Sequence, residues 1–130
     1  MNSTQRMASA RLSLALALAV SPALAADIVR TPVSDARPVL LAALQSSDGT
    51  AHGILTGEAA DAITGHFSAT SAIFIDVSTE KRYQQAGCSR LKVLLWQEGV
   101  RLPGAQVPRK QTIEFGINYC LDGLPPKSLI

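Results

Sequence analysis

Two cysteines constrain the fold of this chain more than any other feature. Cys88 and Cys120 flank two runs, Ser89 to Gln97 and Gln111 to Tyr119, in which apolar and polar residues alternate as in half-buried strands. If the runs pair antiparallel with Cys88 opposite Cys120, opposed positions all add to 208, as 88 and 120 do. Leu91 then meets Ile117, Val93 meets Phe115 and Leu95 meets Ile113. A slip of one residue would set the apolar row of one strand against the polar row of the other, so bridge and pattern specify one register independently. Directly opposed residues lie about 4.5 to 5.5 Å apart at Cα, within disulfide reach.

Whether the thiols oxidise depends on where the chain goes. Arg6 and Arg11 precede an apolar stretch from Leu12 to Val20, then a turn at Ser21 and Pro22 and the small residues Ala23 and Ala25. This reads as a secretory signal peptide over residues 1 to 25, cleaved before Ala26. Its apolar core is far shorter than the roughly 20 residues needed to cross a bilayer as a helix, so no integral membrane segment is expected after cleavage. An exported chain reaches an oxidising compartment, the bacterial periplasm or the medium, where a disulfide is the default for two cysteines. Two cysteines without neighbouring histidines do not make a zinc site, and no cofactor or metal is expected.

Residues 26 to 130 amount to a single small globular domain. Arg6 and Arg11 would leave with the leader, so ten basic residues balance ten acidic ones. The balance is uneven along the chain: residues 26 to 79 hold two basic and six acidic residues, and 80 to 130 hold eight basic and four acidic. A near-neutral chain has little pull on nucleic acid, and none is expected as a partner.

Residues 26 to 35 show no period and read as an extended lead-in. Pro38 to Gln45 suits a short helix closed by the turn SSDG, and Glu58 to Thr64 a second, with Thr56 as N-cap and Gly65 as terminator. Strands follow over Ala72 to Thr79 and the two cysteine-flanked runs, with Ile73, Ile75 and Val77 on one face of the first. Helices first and strands afterwards predict an α+β domain: two short N-terminal helices packed on a three-stranded antiparallel sheet with one disulfide. Phe115 and Val93 are then paired core residues, and Glu98 to Lys110 is a long loop that Val100, Leu102 and Val107 fold back onto the body.

The chain carries no phosphate loop, no metal-binding helix motif and no CxxC. The nearest material for an enzyme is His66 with Ser68 or Ser71, a small secreted hydrolase lacking the small-residue elbow around a nucleophile. The loop from Glu98 to Lys110 offers a third reading, a periplasmic inhibitor that inserts it into an enzyme. The face opposite the apolar row of the second strand carries Arg90, Lys92, Leu94 and Trp96, with Lys92 opposite Gly116. Trp96, Arg101, Arg109 and Lys110 gather near one hairpin end, and an aromatic beside three cations suits a protein partner with an acidic surface.

Gly87-Cys88-Ser89-Arg90-Leu91, the turn Glu98-Gly99-Val100, and Asn118-Tyr119-Cys120-Leu121-Asp122-Gly123-Leu124-Pro125-Pro126 resemble the small secreted KikA-like proteins encoded with conjugative plasmid transfer genes. The resemblance covers residues 67 to 128 and implies a non-catalytic periplasmic accessory or interaction protein of a type IV secretion apparatus. It brings no functional residues with it.

Overall fold

Four side chains from two neighbouring strands set the centre of the molecule. Ile75, Val77, Leu91 and Val93 are between 0 and 1 % exposed. Burial on this scale stabilises by about 1.5 to 3 kcal/mol per side chain. The computed structural model that shows this describes residues 15–19 and 28–130. The expected leader and its cleavage point lie outside the described residues except for 15–19, which form neither helix nor strand. Among the described residues no helix is long and apolar enough to cross a membrane.

The elements in chain order are β1 (Thr31–Val33), α1 (Arg37–Gln45), β2 (Thr50–Leu55), α2 (Glu58–His66), β3 (Ile73–Arg82), β4 (Cys88–Val100) and β5 (Arg109–Cys120). They form a five-stranded sheet in the order β1-β2-β3-β4-β5. β1 runs parallel to β2 and every other neighbour is antiparallel. The α+β class stands, but the three-stranded antiparallel sheet preceded by two helices does not: the sheet is mixed, and the helices are interleaved with its first strands.

The reason lies in β2, TAHGIL, whose alternate positions Ala51, Gly53 and Leu55 include no β-branched or aromatic residue. Ala51, Gly53 and Leu55 face the core, and a Cβ on Gly53 would come within 2.7 Å of Val39 Cγ2 on α1. Small residues here admit a helix close to the sheet, a tertiary demand that overrides strand propensity. β1 owes its place to pairing of Thr31 with Gly53 and Val33 with Leu55.

α1 starts one residue before the expected Pro38 and buries Val39, Leu40 and Ala43 against the sheet. Val33, Val39, Leu40 and Ala43 join the four sheet residues in one core cluster. The SSDG turn closes the helix as expected, with Gly49 in the left-handed region at φ 72°. α2 runs past Gly65 to His66, and Gly57, not Thr56, occupies its N-cap without a side-chain bond. Thr56 instead donates both its backbone N–H and its hydroxyl to Val33 O, at 2.8 and 3.2 Å, fastening β1 to the end of β2.

The cysteine-anchored hairpin forms in the expected register. Cys88 is bonded to Cys120, and Leu91, Val93 and Leu95 lie opposite Ile117, Phe115 and Ile113. Burial differs from expectation on β5: Phe115 is 42 % and Ile113 64 % exposed. The faces are assigned in the right sense, since Leu91 and Val93 are fully buried, but α1 packs chiefly over β2 and β3, and on β5 Ile117 and Tyr119 pack against the core while Ile113 and Phe115 do not. The strands also run into the expected loop, leaving only 101–108 between them. Val100 turns inward at 4 % exposure and Leu102, though exposed, faces the body across a groove, whereas Val107 remains exposed and is not folded back as expected.

Candidate functional site

Each face of the sheet carries one cluster of side chains that bears on function. On the helix-free face, strand pairing sets His52 beside Asp76, and Phe74 beside Trp96. Asp76 is the hub. Its carboxylate accepts from Arg30 Nη1 at 2.8 Å, from His52 Nδ1 at 2.6 Å and from Trp96 Nε1 at 2.7 Å. Arg30 also donates to Gly53 O at 3.3 Å and stacks 4.6 Å from the Phe74 ring centroid. Burial alone would raise the Asp76 pKa, but the bonds from Arg30, His52 and Trp96 outweigh it and hold the carboxyl below its ordinary value.

A histidine oriented by a carboxylate is half of a catalytic arrangement. Among the described residues no serine, threonine or cysteine side chain bonds to His52, and the Asp76 oxygens are taken up by their three partners. The cluster instead clamps Arg30, whose side chain is only 11 % exposed, and with it the segment entering β1. Lys92 and Glu114 approach to 3.5 Å beside it. The room expected above Gly116 is filled by the Arg90 guanidinium.

Trp96 is engaged by its own chain. Its N–H is held by Asp76, its ring lies 4.5 Å from Phe74, and Lys110 Nζ sits 4.3 Å above it. Trp96 and Lys110 are brought together as expected. Arg101 and Arg109 belong to the same hairpin end, since Arg109 pairs with Val100, the residue before Arg101. Among the described residues none of Arg101, Arg109 and Lys110 has an acidic group within 4.0 Å.

The helix-bearing face holds the second feature, an apolar groove of about 340 Å³ between α2 and the open end of β4 and β5. Ile63 and Phe67 form one wall, Leu55, Ile73 and Leu95 the floor, and Val100, Leu102 and Ile113 the other wall. Polar bonds hold the walls apart. Gln97, 6 % exposed, donates from Nε2 to Thr64 Oγ1 at 2.8 Å and to Ser71 O at 2.9 Å. Arg101 N donates to Phe67 O at 2.9 Å and Thr70 N to Glu98 O at 3.1 Å.

Ser71 is engaged within the same network. Ser71 Oγ donates to Ala72 O and accepts from Glu98 N, while the His66 ring packs edge-on against Phe67 at 4.7 Å. Among the described residues no hydrogen bond joins His66 to Ser68 or Ser71. The residues that sequence reasoning missed are Arg30, His52 and Asp76 on one face and Leu55, Ile63 and Phe67 on the other. Asp76 and Phe74 gave a faint signal, an acid and an aromatic on the outward face of one strand; Arg30, in a lead-in without period, gave none. No protein-family model, curated protein or solved structure matches the chain.

Proposed function

We propose that the chain is an exported, non-catalytic interaction domain that holds an apolar segment of a partner protein, flanked by acidic residues, in the groove between α2 and the β4–β5 hairpin. The observation that carries the reading is the adjacency of two unmet demands. Val100 and Leu102 line the groove, and Arg101 lies between them. Residues 98 to 110 contain three cations and a single acid, Glu98. Apolar area supplies affinity, and unpaired cations at its rim steer an acidic partner and raise its association rate.

The disulfide favours an oxidising compartment, and the leader-like N terminus makes the periplasm or the medium its natural setting. The resemblance of the cysteine motifs to KikA-like proteins makes plasmid transfer through a type IV secretion apparatus the context to examine first. The test is fluorescence anisotropy with labelled peptides that share a Leu/Phe centre and carry either acidic or basic flanks. The acidic-flanked peptide should bind more tightly, by an amount that shrinks with added salt. Joint Arg101→Glu, Arg109→Glu and Lys110→Glu substitution should invert the preference. Equal binding of both peptides, or a preference unmoved by the triple reversal, would overturn the reading.

A further inference from the structure

The two edges of the sheet are finished differently. β1 is three residues long and contains Pro32, which has no amide to offer, a common way of blunting an edge. β5 is a twelve-residue strand with β4 on one side only. Leu121 N donates to Gly87 O, so the adjacent pair Cys88 and Cys120 is of the kind whose backbone groups do not bond each other, as its 4.1 Å Cα separation also indicates. The ladder runs without interruption from there to Gln97 and Gln111. Alternation therefore turns the N–H and C=O groups of Thr112, Glu114, Gly116 and Asn118 toward the open edge. Cys120 N is already bonded to Leu124 O at 3.0 Å, and the other four have no backbone partner there among the described residues.

We propose that a second copy of this chain pairs with this edge, β5 to β5, antiparallel about a two-fold axis at Phe115. In that register Thr112 meets the second copy's Asn118 and Glu114 meets its Gly116, so the four outward residues of each strand all exchange backbone bonds. The ladder stops where Leu124 has taken Cys120. On the helix-bearing face Ile113 lies across from the second copy's Ile117, and Phe115 from its own counterpart, which covers the exposed apolar row. On the other face Glu114, which lies 3.5 Å from Lys92, meets the position over Gly116 that the Arg90 guanidinium fills, so that Arg90, held within its own chain by Glu80 at 3.4 Å and Asn118 Oδ1 at 3.2 Å, gains a second carboxylate, and this happens twice across the axis. Neighbouring registers lose one of these matches. Centring on Glu114 opposes two carboxylates, and centring on Ile113 sets Asn118 against Pro108, which has no amide.

The experiment uses the full chain, exported so that the Cys88–Cys120 bridge forms, and reads mass by sedimentation velocity over a range of concentrations. A reversible dimer is expected. Phe115→Cys places two thiols opposite each other in a close, non-bonded pair and should yield a covalent dimer roughly tenfold faster than Ile113→Cys, whose counterpart is displaced along the strand. Arg90→Glu and Glu114→Arg should each weaken the dimer about tenfold; the double variant also sets like charges beside Glu80 and Lys92 within each chain, so it should dimerise better than either single variant but less well than the parent. Melting temperatures near that of the parent establish that each variant folds. A monomer at every concentration, equal crosslinking of the two cysteine variants, or a double variant no better than the singles would overturn the proposal; the last two outcomes with a dimer still present would mean that another surface makes it.

Discussion

Across β4 and β5 the apolar face changes character within single residue pairs. Val93 and Leu91 are completely buried, whereas Phe115 opposite Val93 is 42 % exposed and Ile113 opposite Leu95 is 64 % exposed. Alternation assigns these residues to one face equally well. What separates them is cover: α1 reaches chiefly β2 and β3 with Val39, Leu40 and Ala43, and on β5 only Ile117 and Tyr119 pack against that core, leaving Ile113 and Phe115 outside it. The pattern of a strand specifies a face, and only the position of the next layer decides whether that face is core or surface. The covered half holds the fold together; the uncovered half leaves Ile113 and Phe115 exposed.

That contrast is open to attack by mutation. Leu91→Ala removes a fully buried side chain from the covered half and should cost about 3 to 5 kcal/mol in chemical denaturation, the range for a cavity that cannot collapse. Joint Cys88→Ala and Cys120→Ala opens a loop with a sequence separation of 32 residues and should cost roughly 3 to 4 kcal/mol on chain-entropy grounds. Coincident melts of parent and double variant would refute the stabilising role of the bridge. Asp76→Asn leaves Arg30 nearly buried without its counter-charge and should cost about 2 kcal/mol, moderated by the partial exposure of the carboxylate.

The pH dependence of that last contribution has a definite sign. The folded pKa of Asp76 lies below its ordinary value, so the stabilisation is complete above about pH 4 and is lost as the pH falls through the depressed folded value. Acid titration of stability should therefore be flatter in Asp76→Asn than in the parent. The smallest effect belongs to the uncovered half. Phe115→Ala should cost only about 1 kcal/mol in the monomer, well short of the roughly 3 to 5 kcal/mol of a buried aromatic. A loss as large as that of Leu91→Ala would show that the two halves do not differ.

The hairpin was legible in the sequence because two independent signals, the cysteine pair and the apolar alternation, demanded one register. β2 was not legible, since Ala51 and Gly53 are small to let Val39 approach, and that approach is a fact about the third dimension. Thr56 reads as a helix cap, yet its hydroxyl serves Val33 O, because β1 supplies an acceptor that no local pattern announces. The same reasoning applies to the sites. Trp96 and Lys110 were legible as neighbours from strand register, but the Asp76 cluster joins Arg30, His52 and Trp96 from three separate parts of the chain. Sequence placed the cations at the hairpin end and missed the groove beside them, because Ile63 on α2 and Phe67 just after it reach it from another part of the chain.

The most direct measurement of the central claim puts one polar substitution into the groove and reads stability and binding together. Ile63→Asp, on α2 and away from the β5 edge, alters a side chain that is already 42 % exposed. The account predicts a loss of about 1 kcal/mol in stability and at least a roughly tenfold loss of affinity for the acidic-flanked apolar peptide. A protein that unfolds on this substitution, or that folds and binds the peptide like the parent, would contradict it.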